Sequence, residues 1–114
     1  MADDAVYVNV AEGVARMMNN PQFYVRMLAK FAGGPGIGPL EAAFVEGDVE
    51  KTLGEAHTLK GLAANLSLTG LFERSLELEA KAKEGELDRG LMDAVKAAFV
   101  ATMEEIERVK GQHG

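Results

Sequence analysis

The chain has no cysteine among its 114 residues. Disulfide staples and thiolate metal sites are therefore excluded, and the lack of thiols fits a reducing compartment. No apolar run approaches the roughly 18 residues of a membrane span. The first ten residues, MADDAVYVNV, carry two acids and no basic residue, unlike the positively charged start of a secretory leader. A cytoplasmic location is the expectation. Basic residues are in the minority: 12 Lys and Arg face 18 Asp and Glu, a formal net charge of −6. A nucleic-acid binder needs a basic stripe, so partners should be proteins rather than nucleic acid or membrane. There are only 2 histidines, and one of them, His113, lies in the GQHG tail. A metal site in a helical bundle needs several inward-facing ligands, such as Glu-x-x-His pairs. No resident metal or cofactor is expected, and the 6 methionines read as core filler.

Hydrophobic residues make up 47% of the chain, enough for one globular domain over 1–114. Helical periodicity dominates, and no stretch alternates as a half-buried strand would. VNVAEGVARMMNN sets Val10, Val14, Met17 and Met18 on one face and stops at Asn19-Asn20-Pro21. Pro21 suits the first turn of the next helix, PQFYVRMLAKFA, where Phe23, Tyr24, Met27, Leu28 and Phe31 give a broad apolar face. GGPGIGP, residues 33–39, lacks the Gly-Lys-Ser/Thr ending and the strand of a phosphate-cradling loop, and is read as a flexible connector. A short helix or turn follows from Leu40 to about Glu46. Asp48 is a candidate N-cap, with Glu50 favourable in the first turn, for a helix over about 49–66. Two more helices are predicted over Leu68–Glu84, stopped at Gly85, and over about Asp88–Lys110. Short loops between long amphipathic helices imply antiparallel neighbours. The predicted fold is all-α, an antiparallel four-helix bundle core with additional short N-terminal helices.

The 49–66 helix carries an anomaly. On a helical wheel, Val49, Leu53, Ala56, Leu59, Leu62, Ala63 and Leu66 fill one arc facing the core. His57 falls just outside that arc. Its neighbours are Gly54 and Gly61, with Lys60 on the core side and Ala64 one turn on. Two interior glycines cost about 2 kcal/mol of helix propensity relative to alanine. They leave a flank stripped of bulk, across which another molecule can approach the imidazole. Lys60, one turn away, can reach an anion held at the ring. A nucleophilic histidine, room for a partner and a cation for a phosphoryl group form a coherent set. The alternatives for the glycines are a helix crossing closely at Gly61 and a merely tolerated surface position at Gly54. The charged run ELEAKAKEGELDR reads as a solvated helix face and turn. Arg74, Lys81 and Lys83 are further candidates for positive potential near the histidine.

AHTLKGLAANLSLTGL, residues 56–71, resembles the signature of histidine-containing phosphotransfer (HPt) domains, His-x-Leu-Lys-Gly followed by an Asn-Leu-Gly-type turn. YVRMLAKF (24–31), EGD (46–48), LELEAKAKEGE (76–86) and the helix order extend the resemblance over nearly the whole chain. At Ser67 the family usually has a glycine that ends the helix in a left-handed cap, so the turn there is either built differently or comes later.

The resemblance implies a phosphorelay intermediate. His57 would accept a phosphoryl group at Nε2 and relay it to or from an aspartate of a receiver domain, or receive it from a sensor or hybrid histidine kinase. Lys60 would pair with the phosphoryl oxygens. Gly54, Gly61, Ala64 and Leu68 would form the docking patch. Mg²⁺ would sit on the partner receiver, and this chain would work as a monomer without an ATP site of its own. Two other readings remain at this stage: a docking or scaffold module of the same fold that carries no phosphate, and an unrelated dimerisation bundle that buries Gly54 and Gly61 in a helix–helix seam.

Overall fold

A computed structural model describes residues 7–113, with side chains as far as Gln112. The start of the acidic N-terminal segment and the side chain of His113 lie outside it. Among the described residues there are six helices and no strand: α1 (Val10–Arg16), α2 (Pro21–Ala32), α3 (Gly38–Glu46), α4 (Val49–Asn65), α5 (Thr69–Lys83) and α6 (Arg89–His113). None of them is long and apolar enough to cross a membrane.

The helix boundaries follow from local chemistry. Asn20 caps α2 by accepting a hydrogen bond from the Phe23 amide at 3.0 Å, with Pro21 in the first turn. Asp48 does the same for α4 through the Lys51 amide, and Asp88 for α6 through the Leu91 amide. The connector after α2 contains Gly36 in a left-handed conformation, φ 63°, against the Phe99 ring. A side chain there would collide with that ring, so glycine is required on both counts. Helix α1 ends at Arg16, two residues earlier than its apolar pattern suggests. Met18 and Asn19 are both left-handed, and Met18 is 90% exposed rather than on the buried face.

Helix α4 packs between α3 and α5, α5 packs on α6, and α2 closes on α6. One apolar cluster joins them, with Tyr24 and Leu28 from α2, Leu40 and Phe44 from α3, and Ala56, Leu59 and Ala63 from α4. It continues through Leu71 and Leu78 of α5 into Met92, Val95 and Ile106 of α6. On α4 the buried arc is rotated relative to the wheel: Thr52 is fully buried, whereas Leu62 is 47% exposed.

The turn after α4 fixes the end of the helix that carries the histidine. Ser67 adopts the left-handed conformation itself, φ 57°. The Leu68 amide donates to the Ala63 carbonyl at 2.8 Å and the Ser67 amide to that of Ala64 at 3.2 Å, the paired bonds of a Schellman cap. The turn therefore keeps its glycine-type geometry with serine in the glycine position. It is clamped from two sides. Asn9 donates its amide to the Ser67 carbonyl at 2.9 Å, and the buried Tyr24 hydroxyl donates to the Leu66 carbonyl at 2.7 Å.

Candidate functional site

His57 lies in the middle of α4 with its side chain 69% exposed. Gly54 and Gly61, also exposed, stand one turn before and after it. A Cβ added to either glycine would meet nothing within 4 Å. Among the described residues no helix crosses there, so the packing explanation for Gly61 fails. The bare flank is open to solvent. Thr58 turns its hydroxyl back onto the Gly54 carbonyl at 3.1 Å, which keeps this side chain from standing over the flank.

The decisive neighbour of His57 comes from α5. Glu79 is 3% exposed, and its two carboxylate oxygens are divided between two partners of α4. Oε2 is 2.7 Å from His57 Nδ1, and Oε1 is 2.6 Å from Lys60 Nζ. A carboxylate can only accept, so the contact places a proton on Nδ1 and leaves the Nε2 lone pair free. Burial pushes the Glu79 carboxyl upward. The hydrogen bonds from Lys60 and His57, together with the charges of Lys60 and Lys83, outweigh burial and hold it below the ordinary carboxylate value.

These groups border an open depression lined by Glu50, Leu53, Gly54, His57, Lys60, Glu79 and Lys83. Of the three further cations singled out in the sequence beside Lys60, Lys83 alone lines it. Arg74 is paired with Glu73 and Glu77, and Lys81 with Glu84 and Glu86 at the end of α5. Ala64 is half-buried on the same side of α4. Leu68 is fully buried, which corrects its expected place in a docking patch: the Schellman turn points it into the core.

Glu79 is the site residue that sequence reasoning missed, because it sits inside a charged run read as solvated. The signal was its spacing. Leu71, Ser75, Leu78, Glu79 and Ala82 are the buried positions of α5, and Glu79 falls on that stripe at helical intervals.

An exposed histidine is thus oriented by a buried carboxylate, with a lysine beside it on the same bundle helix. The family model of the Hpt domain matches residues 37–110. The chain belongs to the Hpt domain family. The match begins just ahead of α3, runs into α6 and contains His57, Lys60 and Glu79; α1 and α2 lie outside it. No curated protein and no solved structure matches the chain. Hpt domains serve histidine phosphotransfer in phosphorelays, opposite receiver domains or histidine kinases, and that is the class of function of this chain.

Proposed function

We propose that His57 is the phosphoacceptor of this Hpt domain and relays a phosphoryl group to or from an aspartate of a receiver domain. The observation that carries the reading is the Glu79 carboxylate bonded to Nδ1 of an otherwise exposed imidazole.

In the forward step the Nε2 lone pair attacks the phosphorus of an aspartyl phosphate. The N–P bond forms as the bond from phosphorus to the carboxylate oxygen breaks, and the aspartate leaves as its carboxylate. Nδ1 keeps its proton, so the ring becomes cationic. Glu79, 2.7 Å away, is the positioning residue that selects the reactive tautomer and lowers the energy of that cation, as a carboxylate does for an imidazolium elsewhere. Lys60, one turn from the ring and bonded to Glu79, adds positive charge to the site in which the phosphoryl oxygens come to lie. The reverse step returns the group along the same path. Gly54, Gly61 and Ala64 leave the surface over which the receiver's loops approach. Mg²⁺ and the rest of the transition-state stabilisation come from the receiver, and the domain acts as a cytoplasmic monomer with no cofactor of its own.

The test is to mix the domain, beside His57→Gln, with a panel of phosphorylated receiver domains. Label that appears on the wild type, is lost in acid, survives alkali and is absent from His57→Gln supports the relay. Equal binding of receivers by both proteins, with label on neither, supports a docking module instead.

A further inference from the structure

The depression beside His57 holds two cations in different states. Lys60 is 22% exposed and lies 2.6 Å from a buried carboxylate oxygen of Glu79. To reach a phosphoryl oxygen with its full charge it must loosen a charge-assisted bond to a group that has almost no contact with water. Lys83 is exposed and lines the same depression. It sits four residues beyond Glu79, one turn along α5 on the same face. Lys51, Lys60, Lys81, Lys96 and Lys110 each have a carboxylate partner. Lys83 has none among the described residues.

Charge balance points the same way. A phosphoryl group on nitrogen brings about −1.5 to −2 of charge at neutral pH. Glu79 and Glu50 already contribute two negative charges to the lining, and Lys60 offsets one of them. Without a second cation, an incoming phosphoryl group would meet net negative charge before the ring had become cationic. Lys83 removes that deficit. With no carboxylate within ion-pair distance among the described residues, it can swing to an oxygen without breaking such a contact.

On the reading that His57 is the phosphoacceptor, we infer that Lys83 is the cation that first engages the incoming phosphoryl group, while Lys60 chiefly holds Glu79 in register with the imidazole. The two lysines therefore fail differently. Removing Lys83 weakens capture of the phosphoryl group and leaves the His57–Glu79 contact intact. Removing Lys60 disturbs Glu79 and, through it, the ring.

The experiment uses phosphoramidate, a small anionic phosphodonor, so that no receiver contact confuses the result. The rate at which His57 is labelled is measured over a range of salt for wild type, Lys83→Gln, Lys83→Arg and Lys60→Gln. Lys83→Gln is expected to label about tenfold more slowly, with a flatter salt dependence, an unchanged thermal midpoint and unchanged His57 ring-nitrogen resonances. Lys83→Arg should restore the rate to within about twofold, because the charge is retained. Lys60→Gln should shift the ring-nitrogen resonances. A Lys83→Gln protein that labels at the wild-type rate with the wild-type salt slope overturns the inference while leaving the relay intact. A wild type that phosphoramidate and phosphorylated receivers both fail to label removes the relay reading, and this inference with it.

Discussion

The Oε2 oxygen of Glu79 lies 2.7 Å from Nδ1 of His57, although the two residues are 22 apart in sequence and on different helices. The contact ties the exposed ring to the α4–α5 seam, and the other oxygen of the same carboxylate ties down Lys60. Orientation of the imidazole is thus a property of helix packing rather than of α4 alone.

Glu79→Gln keeps the shape of the side chain and removes its charge. Labelling of His57 by a phosphorylated receiver should slow by about tenfold, the loss of one charge-assisted hydrogen bond. Nitrogen NMR should show the imidazole shifting from the Nδ1–H form towards a mixture of tautomers. Stability should fall by about 2 kcal/mol in denaturant melts, because Lys60 loses its anion.

The same carboxylate predicts how stability responds to acid. Its folded-state pKa lies below its unfolded value of 4.5. Its contribution is therefore complete above pH 4.5 and lost as pH falls from there through the lowered folded value. Chemical denaturation from pH 7 to pH 3 should show a loss in this acid range that is smaller in Glu79→Gln.

Tyr24 gives the opposite limb. Its hydroxyl, bonded to the Leu66 carbonyl, has its pKa pushed up to about 12 by burial and by the nearby charge of Glu12. The raised value means that its contribution is complete below pH 10 and lost as pH rises from 10 to 12, by at most about 3 kcal/mol. Tyr24→Phe should lack this alkaline transition, read by fluorescence or circular dichroism. At pH 7 it should be about 1–2 kcal/mol less stable, because a buried carbonyl loses its donor.

Ser67→Gly should stabilise the fold by about 1 kcal/mol. Ser67 is left-handed, a conformation that costs a side-chain-bearing residue about 1–2 kcal/mol, and its buried hydroxyl has no hydrogen-bond partner among the described residues. The greater freedom of glycine in the unfolded chain offsets part of the gain. The thermal midpoint should rise without any change in phosphotransfer.

Gly61→Leu separates folding from docking. A Cβ at position 61 would meet nothing within 4 Å among the described residues, so the helix should gain up to about 1 kcal/mol in propensity. Labelling by phosphoramidate should stay near the wild-type rate, whereas labelling by a phosphorylated receiver should fall at least tenfold. Equal loss with both donors would show that Gly61 acts on the ring itself rather than on the approach of a partner.

The helices were legible because their ends carry local chemistry: Pro21 and Asp48 act as the sequence reads them, while Asn20, read as a stop for the helix before, caps the helix after it, and Asp88 caps the helix it was read to begin. His57, Gly54 and Gly61 were legible as an anomaly within one helix. Glu79 was not, because its role depends on which face α5 turns to α4, and a charged run hides a buried acid. The same dependence explains Leu62 and Thr52. Periodicity defines an apolar arc on α4, but the neighbouring helices decide where that arc is covered, and they cover Thr52 and leave Leu62 half exposed.

The most direct measurement locates the phosphoryl group on the chain. After transfer from a phosphorylated receiver, the intact domain is fragmented under conditions that preserve the N–P bond, and the modified residue is read by mass spectrometry. The account predicts a single phosphoryl group at His57, removed when an unphosphorylated receiver and Mg²⁺ are added. A phosphoryl group on any other residue, or one at His57 that no receiver can take back, would contradict it.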